Sequence, residues 1–521
     1  MALQQVAAAS LSKALVVLAI GGIVFLFTLT RKKKGLLSLP PGPPGEPILG
    51  HLRIIPTDNP EYAYMEWSRE YGSDIISFNV LGQTVVVLNS VRVASDLLDK
   101  RGANYCDRPR FVLFEVMGWV KTLTFLRWGP AFRMHRRILQ QGFQKRNIVQ
   151  YRPLQEREAA VMLSGLLEKP SDWENVMRRF ATAVVLGIGF GIKIDRDSNR
   201  FIQIATDASY ALGHGGAPGG TPVDFFPILK SLPMLFHDRS LKFARDWRFA
   251  IRNLHDQPYE AVMESHERTQ SLVQGLLDQR QGQLEDGEAP ELSVDDIKGA
   301  AAAVYAAGQD TTWSTLIVFI LNMVLHPEIQ DKAQHMLDEV VGRDRLPTFD
   351  DREKLPYLDH IVQETLRWCP VSPVGVPHRS LEDDVYEGYF IPAGSLVYAN
   401  ARAMTHDSRA YSNVDEFDPD RFLPTSEGGR GEPLPVGQFG FGRRVCVGKH
   451  LAKANVWIVI ACMLSTMRIE RSRDKHGREL EPQVELTNGL TSHPKKFPCR
   501  IVPRDGRSKS AIDLRLCSVR T

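Results

Sequence analysis

The first strongly apolar stretch of the chain is the uncharged run Ala14–Thr30, which the basic residues 31–34 follow at once. As a helix, a run of this length spans about 26 Å, close to the roughly 30 Å of a membrane's hydrocarbon core. The basic cluster favours a cytoplasmic position for that end, whereas a cleaved signal peptide carries its charges before the apolar run. We therefore predict a short lumenal N-terminus at 1–13, a single transmembrane anchor at 14–30 and a basic, proline-rich linker at 31–46.

Beyond the linker, helical periodicity dominates and two regions alternate like strands. Residues 74–88 alternate on both sides of a turn at 81–83, which predicts a β-hairpin. A second group of short strands is predicted at 377–400, where residues 387–388 and 393–394 supply turns. Few other segments show this alternation, so any sheets are expected to be small.

Flexible connections are predicted at residues 214–220 and 281–290, where glycine, proline and polar residues cluster. Neither segment shows the change in composition that marks a linker between domains. The expected fold class is therefore mainly α with small β-sheets. We predict a single large domain over residues 47–505, followed by a C-terminal tail at 506–521.

One segment, Gly299–Leu325, contains a single residue that is charged at neutral pH, Asp310. Its length would allow a second membrane span, but the carboxylate and two hydroxyls at 310–312 would then lie near the bilayer centre, which is energetically costly. Ser293 before it is a suitable cap, and Pro327 after it ends a helix. A helix that is apolar all round is also typical of the core of a large soluble fold. We favour a buried central helix.

Composition narrows the function classes only slightly. The chain has 64 basic and 61 acidic residues, a net charge of +3 that gives no reason to expect a nucleic-acid partner. Its six cysteines include no C-x-x-C pair, so they cannot supply a disulfide framework or an all-cysteine zinc or iron–sulfur site. Any cysteine with a chemical role therefore acts singly.

The segment with the most distinctive chemistry is FGFGRRVCVG at residues 439–448. Its glycines allow sharp turns and a close approach of the backbone to a large flat ligand. Helical sequence resumes just after Cys446, and a helix N-terminus favours the thiolate form of a nearby cysteine. Arg443 and Arg444 provide cations that could bind carboxylates. The segment therefore predicts a ligand site built around one cysteine.

Simpler interpretations explain only parts of this segment. A lone cysteine is most often a small buried hydrophobic residue. Cys446 and His450 could form half of a zinc site, but the sequence shows no second half. The glycines could form a phosphate loop, but the lysine of the Walker pattern is absent.

The segment resembles the haem-binding signature of the cytochrome P-450 superfamily, F-x-x-G-x-R-x-C-x-G. All five fixed positions match: Phe439, Gly442, Arg444, Cys446 and Gly448. The resemblance implies that Cys446 is the axial thiolate ligand of haem iron, that Arg444 pairs with a haem propionate, and that Phe439, Gly440 and Gly448 adjoin the cofactor. Thiolate ligation pushes electron density to the iron and favours O–O cleavage. The implied fold is a single cytochrome P-450 type domain.

Two further motifs of that family bear on how the cysteine segment is held. Glu364 and Arg367 match the family's E-x-x-R and share one face of a predicted helix. The segment 419–422, PDRF, resembles the family's PERF, with aspartate in place of glutamate. The resemblance implies that Glu364, Arg367 and Arg421 form a buried structural network rather than a catalytic one.

The central helix resembles the family's oxygen-activating segment at residues 307–312, AGQDTT. The resemblance implies that Gly308 leaves room for dioxygen above the iron. A threonine within a helix, such as Thr311, can bond its own i−4 carbonyl or the bound oxygen. Asp310 beside it is the expected proton source, acting through water. Asp310 and Thr311 are therefore the predicted catalytic residues.

Arginines elsewhere are expected to bind the haem carboxylates. The family's W-x-x-x-R aligns with residues 132–136, where phenylalanine replaces tryptophan and Arg136 is retained. Arg379 matches a position that often binds the second propionate. The predicted substrate pocket comprises Phe111, Phe114, Trp119, Val304 and Val374.

The predicted function is that of a haem-thiolate monooxygenase resembling the microsomal enzymes of filamentous fungi. The resemblance implies haem b (iron protoporphyrin IX) as cofactor, O2 and NADPH as co-substrates, and NADPH-cytochrome P-450 reductase as partner. It also implies residence in the endoplasmic reticulum membrane, in contact with lipid, with a cytoplasmic catalytic domain. The expected substrate is a lipophilic secondary metabolite, such as a terpenoid, polyketide or indole-type compound, or a xenobiotic. Two alternatives are a haem-thiolate isomerase or dehydratase that needs neither O2 nor NADPH, and a non-catalytic membrane haem-binding protein.

Overall fold

The computed structural model describes residues 37–194, 199–216, 219–233 and 237–520. The predicted lumenal segment, the predicted anchor at 14–30 and the basic residues after it lie outside the described residues. Within the described part of the chain the structure is mainly helical with small sheets, as predicted.

The α-helices of the described residues are α1 Pro60–Glu70, α2 Val91–Ala94, α3 Val112–Met117, α4 Pro130–Phe143, α5 Arg152–Glu168, α6 Trp173–Phe190, α7 Asn199–His214, α8 Pro222–Phe225, α9 Arg239–Asp246, α10 Arg248–Glu264, α11 Leu272–Glu285, α12 Val294–Leu325, α13 Pro327–Val340, α14 Pro356–Trp368, α15 Ala401–Thr405, α16 Lys449–Thr466 and α17 Gly506–Arg520. A π-helical turn, Ser95–Lys100, continues α2, and short 3₁₀ turns include Pro419–Phe422 and Gly442–Arg444.

The strands are β1 Ile75–Val80, β2 Gln83–Leu88, β3 His378–Arg379, β4 Asp384–Tyr386, β5 Tyr389–Ile391, β6 Leu396–Ala399, β7 Met467–Arg471 and β8 Cys499–Pro503. One sheet has the order β1-β2-β6-β3, and β4-β5 and β7-β8 form two-stranded sheets. The β2–β6 pair is parallel, whereas the other pairs are antiparallel.

Both predicted strand regions are confirmed. Strands β1 and β2 form the hairpin expected at 74–88, with Leu81 and Gly82 at positive φ, 47° and 90°. Two successive positive φ values are typical of the tight turn whose twist matches the strands. Glu387 and Gly388 adopt the same pattern, at 50° and 82°, between β4 and β5.

The apolar segment Gly299–Leu325 belongs to α12, which is buried along most of its length, as predicted. Ser293 and Asp296 form a reciprocal capping box at its start, which satisfies backbone donors that a helix otherwise leaves free. The helix packs against α6, α10, α14 and α16, so most of its apolar side chains meet protein.

Among the described residues, no helix alone is both long and apolar enough to cross a membrane. Helices α12 and α13 pass that test of length and composition only when taken together, and they are bent by 103° at their junction.

Three segments differ from the sequence predictions. The predicted C-terminal tail is the helix α17, in which Ala511 and Ile512 are buried and Arg515 forms an ion pair with Glu156 of α5. The predicted connection at 281–290 is helical as far as Glu285, where α11 ends. The helices α17 and α11 were not fully predicted because only a narrow stripe of each packs on the protein. A mostly polar helix of this kind shows little apolar periodicity in its sequence.

The third difference lies in the proline-rich segment that was predicted to be part of a linker. The backbone N–H of Ser77 in β1 donates to the carbonyl of Pro41 at 2.8 Å, and the Ser77 hydroxyl donates to the carbonyl of Pro40. A Cβ on Gly42 would lie 1.9 Å from the Ser77 carbonyl oxygen. Ordered contacts therefore begin before residue 47, since glycine lets this segment approach the sheet edge.

Candidate active site

A cavity of about 360 Å³ lies in the interior of the helical domain. Helices α4, α12 and the start of α16 contribute to its walls, together with the segments 371–376, 437–448 and 490–491. Side chains that are hundreds of residues apart in sequence therefore meet around one space. Cys446, Gly308, Asp310 and Thr311 all line it.

The cysteine segment is a compact loop held by its own backbone. The N–H of Cys446 donates to the carbonyl of Phe439 at 2.8 Å, and Gly440 and Gly442 have positive φ, 71° and 56°. The N–H of Gly442 donates to Asp99 Oδ1 at 2.6 Å, and a Cβ on Gly442 would lie 2.0 Å from the carbonyl oxygen of Leu98. Gly442 is thus required by conformation and by packing against the π-helical turn.

The Cys446 side chain is exposed to the cavity. Helix α16 begins three residues later, as predicted, at Lys449. Burial nevertheless raises the pKa of the Cys446 thiol, while the N–H groups of Gly448 and Lys449 and the Arg136 guanidinium act to lower it. The N–H groups at the start of α16 therefore favour the thiolate, as expected, although burial opposes them; a bound metal ion deprotonates a coordinating thiol outright.

Arg444 is the clearest binding group of the cavity. Its side chain is 8% exposed, its Nε donates to the carbonyl of Cys106 at 2.7 Å, and its guanidinium lies 3.6 Å over the ring of Phe132. Both terminal nitrogens are buried without a hydrogen-bond partner, and burial lowers the pKa of Arg444 to about 10. A cation with two unsatisfied donors fits a carboxylate ligand.

The other arginines differ in their placement. Arg136 lines the cavity, and its Nη1 donates to the carbonyl of Val445 at 2.6 Å, so it braces the cysteine loop. Arg379 lies 3.4 Å from Asp107 and is not among the cavity-lining residues of the described chain. Arg108, which the sequence analysis missed, is buried, lines the cavity and has an Nε without a partner.

The predicted ion network forms between α14 and the 3₁₀ turn Pro419–Phe422. Glu364, Arg367 and Arg421 have completely buried side chains. Arg367 donates to both carboxylate oxygens of Glu364, at 2.7 and 2.8 Å, and Arg421 Nε donates to Glu364 Oε1 at 3.0 Å. Arg421 also pairs with Glu432 at 2.6 Å, a member that no motif indicated. Although burial acts to lower the pKa of Arg421, the carboxylates of Glu364 and Glu432 raise it.

The central helix presents its polar groups as expected. Thr311 Oγ1 donates to the carbonyl of Ala307, the i−4 position, at 2.7 Å. Asp310 Oδ2 accepts a hydrogen bond from Thr491 at 2.8 Å. A Cβ on Gly308 would lie 2.5 Å from a methyl group of Val185 in α6. Gly308 therefore permits close helix packing as well as facing the cavity.

The predicted substrate residues separate into two groups. Trp119, Val304 and Val374 line the cavity, whereas Phe111 and Phe114 are buried and do not. The rings of Phe111 and Phe114 pack on Phe125, at centroid distances of 5.6 and 4.8 Å, and Phe125 is the aromatic residue of this group that faces the cavity. The sequence alone could not show that Phe125 lines the cavity while Phe111 and Phe114 pack behind it, because all three side chains are apolar.

The residues present fit a haem. A cysteine exposed to a cavity, glycines that bring the loop backbone close, and the two terminal nitrogens of Arg444 that lack hydrogen-bond partners are what a cysteine-ligated porphyrin with carboxylate groups requires. Cys446 would ligate the iron, and Arg444 and Arg108 would hold the carboxylates, with Phe439, Gly440 and Gly448 along the same wall.

The sequence profile of the cytochrome P-450 family matches residues 40–499, so the chain belongs to that family. The family's cofactor is haem iron, and the protein is an oxidoreductase of the monooxygenase class.

The chain resembles fungal enzymes over nearly all its length. It is 37% identical over 514 residues to a cytochrome P-450 monooxygenase of Armillaria gallica, covering 97% of this chain and 99% of that protein. It is 35% identical over 507 residues to tryptamine 4-monooxygenase of Psilocybe cyanescens, covering 94% and 97%. A solved structure of a zebra fish cytochrome P-450 with abiraterone matches the fold with a TM-score of 0.70 at 24% identity, covering 86% of this chain and all of that one.

Replacing Arg444 with alanine is expected to weaken haem binding by about 10- to 100-fold, the range for a lost charge-assisted hydrogen bond. Haem retained after gel filtration of the purified protein measures this. Arg443 is the matched control, because it is adjacent but exposed, so its alanine variant is expected to keep its haem. Equal loss in both variants would contradict the assignment of Arg444 to a haem carboxylate.

Proposed function

We propose that the protein is a membrane-anchored haem-thiolate monooxygenase that inserts one atom of O2 into a lipophilic small molecule. Electrons would come from NADPH through a separate NADPH-cytochrome P-450 reductase, and the second oxygen atom would leave as water. The observation that carries the proposal is the meeting of Cys446 with Asp310 and Thr311 around one cavity. Bound haem would supply the activation of O2.

Residues of α12 would transfer the protons that the reduction of O2 requires. Asp310 is half-buried at the cavity wall, where a carboxylate can exchange a proton with water. The Thr311 hydroxyl, whose proton goes to the Ala307 carbonyl, offers its oxygen lone pairs to a water or ligand in the cavity. Together the two groups can pass protons toward the cavity without opening the helix.

The cavity walls favour an uncharged substrate. Much of the lining away from the cysteine loop is apolar, including Phe125, Leu212, Val304, Val374 and Leu490. Among the cavity-lining residues of the described chain, Asp310 is the one carboxylate, and the Thr491 hydroxyl already bonds it. A neutral terpenoid, polyketide or indole-type secondary metabolite therefore suits this pocket better than a charged amine, and a neutral lipophilic xenobiotic would suit it equally.

Exposed apolar side chains support membrane contact by the catalytic domain. Ile48 and Ile54 near the N-terminal end, and Phe226 and Ile228 after α8, are 71%, 47%, 51% and 69% exposed. Ile55 and Phe225, which neighbour these residues in sequence, pack on the same buried cluster. With the anchor predicted at 14–30, this surface would lie on the cytoplasmic face of the endoplasmic reticulum.

The proposed reductase contact is a set of basic residues near the cysteine loop. Arg443, Lys145 and Arg146 are exposed, and Lys449 begins α16 beside the thiol. Positive charge there would attract an acidic surface of a flavoprotein.

Replacing Thr311 with alanine is expected to lower product formation by about 10²-fold, the lower end of what a positioned proton-transfer group contributes. NADPH consumption should continue, with its electrons released as hydrogen peroxide. Thr315→Ala is the control, since Thr315 makes the same i−4 bond one turn later, at 2.8 Å to the Thr311 carbonyl. Unchanged coupling in the Thr311 variant would contradict the proton role.

The main alternative is a haem-thiolate isomerase or dehydratase. It is separated from a monooxygenase by turnover assays with and without NADPH and O2, because the alternative needs neither. Product that depends on both co-substrates supports the proposal, whereas product formed without them favours the alternative. A non-catalytic haem-binding protein would form no product under either condition.

A further inference from the structure

Asp310 is tied to a segment far along the chain. Its Oδ2 accepts the 2.8 Å hydrogen bond of the Thr491 hydroxyl, across 181 positions of sequence. Thr491 lies between β7 and β8, and both it and Leu490 line the cavity. The proton-bearing group proposed for catalysis thus has a direct donor on another wall of the same cavity.

The loop that carries Thr491 is also bonded to the 371–376 wall of the cavity. The N–H of Ser492 donates to the carbonyl of Val371 at 2.7 Å, and the Ser372 hydroxyl donates to the carbonyl of Leu490 at 3.1 Å. The Ser492 hydroxyl donates to the carbonyl of Thr487 at 2.8 Å within the loop. These bonds tie the loop to the 371–376 wall, and the Thr491–Asp310 bond links the same loop to α12.

The second neighbour of the Asp310 charge is Arg178 of α6. Its guanidinium lies 3.7 Å over the ring of Trp313. Burial lowers the pKa of Arg178, and the carboxylates of Asp310 and Glu174 act to raise it. Arg178 therefore provides a positive potential near Asp310, while Thr491 supplies the direct hydrogen bond that selects one carboxylate oxygen.

We propose that Thr491 is a positioning residue for Asp310, an inference that rests on the proposed monooxygenase function. The hydroxyl holds Oδ2, so that Oδ1 remains free to exchange protons with water beside Thr311. Without that bond the carboxylate would rotate among several orientations, and protons would reach the cavity less often. The chemistry is proton exchange alone, in which one O–H bond breaks as another forms.

The first test measures how the haem-loaded full-length enzyme and its reductase divide electrons when no substrate is added. Reduction of O2 to hydrogen peroxide takes two electrons and two protons, hence one NADPH, whereas reduction to two waters takes four of each, hence two NADPH. Poorer proton delivery favours peroxide. Thr491→Val is expected to raise the peroxide released per NADPH several-fold, and Thr491→Ser, which keeps the hydroxyl, is expected to restore the wild-type ratio.

Ser492→Ala is the matched control, because it removes a hydroxyl from the same loop without touching Asp310. Its peroxide ratio is expected to stay at the wild-type value. A wild-type ratio in the Thr491→Val variant, or equal shifts in the valine and serine variants, would overturn the inference. If the wild-type enzyme oxidised no NADPH with the reductase, the proposed function would be contradicted. The second test would still show whether the hydrogen bond between Thr491 and Asp310 exists.

The second test needs no activity. Hydrogen–deuterium exchange of residues 484–494 in the full chain is expected to rise about tenfold in Thr491→Val and in Asp310→Ala, the effect of losing one hydrogen bond to a charged group. The double variant should exchange no faster than either single variant, because both lose the same bond. If the increase in exchange rate of the double variant were the product of the two single-variant increases, the two side chains would act separately. That result would overturn the inference.

Discussion

Replacing Cys446 with serine is expected to abolish NADPH-dependent turnover. A serine hydroxyl does not ionise as a thiol does, so it cannot supply the thiolate that pushes electron density to the iron. The loop itself should persist, because its backbone bond from residue 446 to Phe439 and the contacts of Gly442 do not involve the sulfur. Turnover with the reductase, normalised to folded protein, is the measurement.

Cys517→Ser is the matched control, since Cys517 is exposed on α17 and outside the cavity lining. This variant is expected to keep wild-type turnover and haem content. Turnover retained by the Cys446 variant would show that another group ligates the iron, and would remove the basis of the proposed function.

Replacing Glu364 with alanine is expected to destabilise the fold by about 3–5 kcal/mol, the cost of breaking a buried ion pair from one side. The substitution would leave Arg367 and Arg421 as buried cations, although each keeps bonds to backbone carbonyls such as those of Val414 and Ser412. Because the network anchors the segment that leads into the cysteine loop, haem content should fall as well. Urea denaturation and the haem-to-protein ratio measure the two effects.

Glu427→Ala is a suitable control, because Glu427 belongs to the same E-x-x-R spacing but is exposed. Surface charges of this kind contribute about 0–1 kcal/mol, so the unfolding free energy should hardly change. A stability loss in the Glu364 variant no greater than in the Glu427 variant would contradict the structural role of the network.

The part of the site that could be predicted from sequence is the part encoded by local spacing. The cysteine loop, the E-x-x-R pair and the 307–312 segment each carry their chemistry within a few residues, so a motif reveals them. The long apolar helix and the hairpin at 74–88 were predictable for the same reason, since periodicity and turn residues are local signals.

What could not be predicted depends on contacts between distant segments. Arg108 and Thr491 belong to no motif, and their importance comes from where the fold brings them, against the cavity and against Asp310. Arg379 has the right residue type, but the fold places Asp107 beside it. The helix at 506–520 was missed because only a few of its residues meet the core.

The most direct test of the central claim is the absorption spectrum of the reduced, full-length wild-type protein under carbon monoxide. If Cys446 ligates haem iron as thiolate, the Soret band will lie at the position typical of cysteine-ligated haem. A folded protein that binds haem but gives a band typical of histidine ligation, or one that takes up no haem at all, would contradict the account.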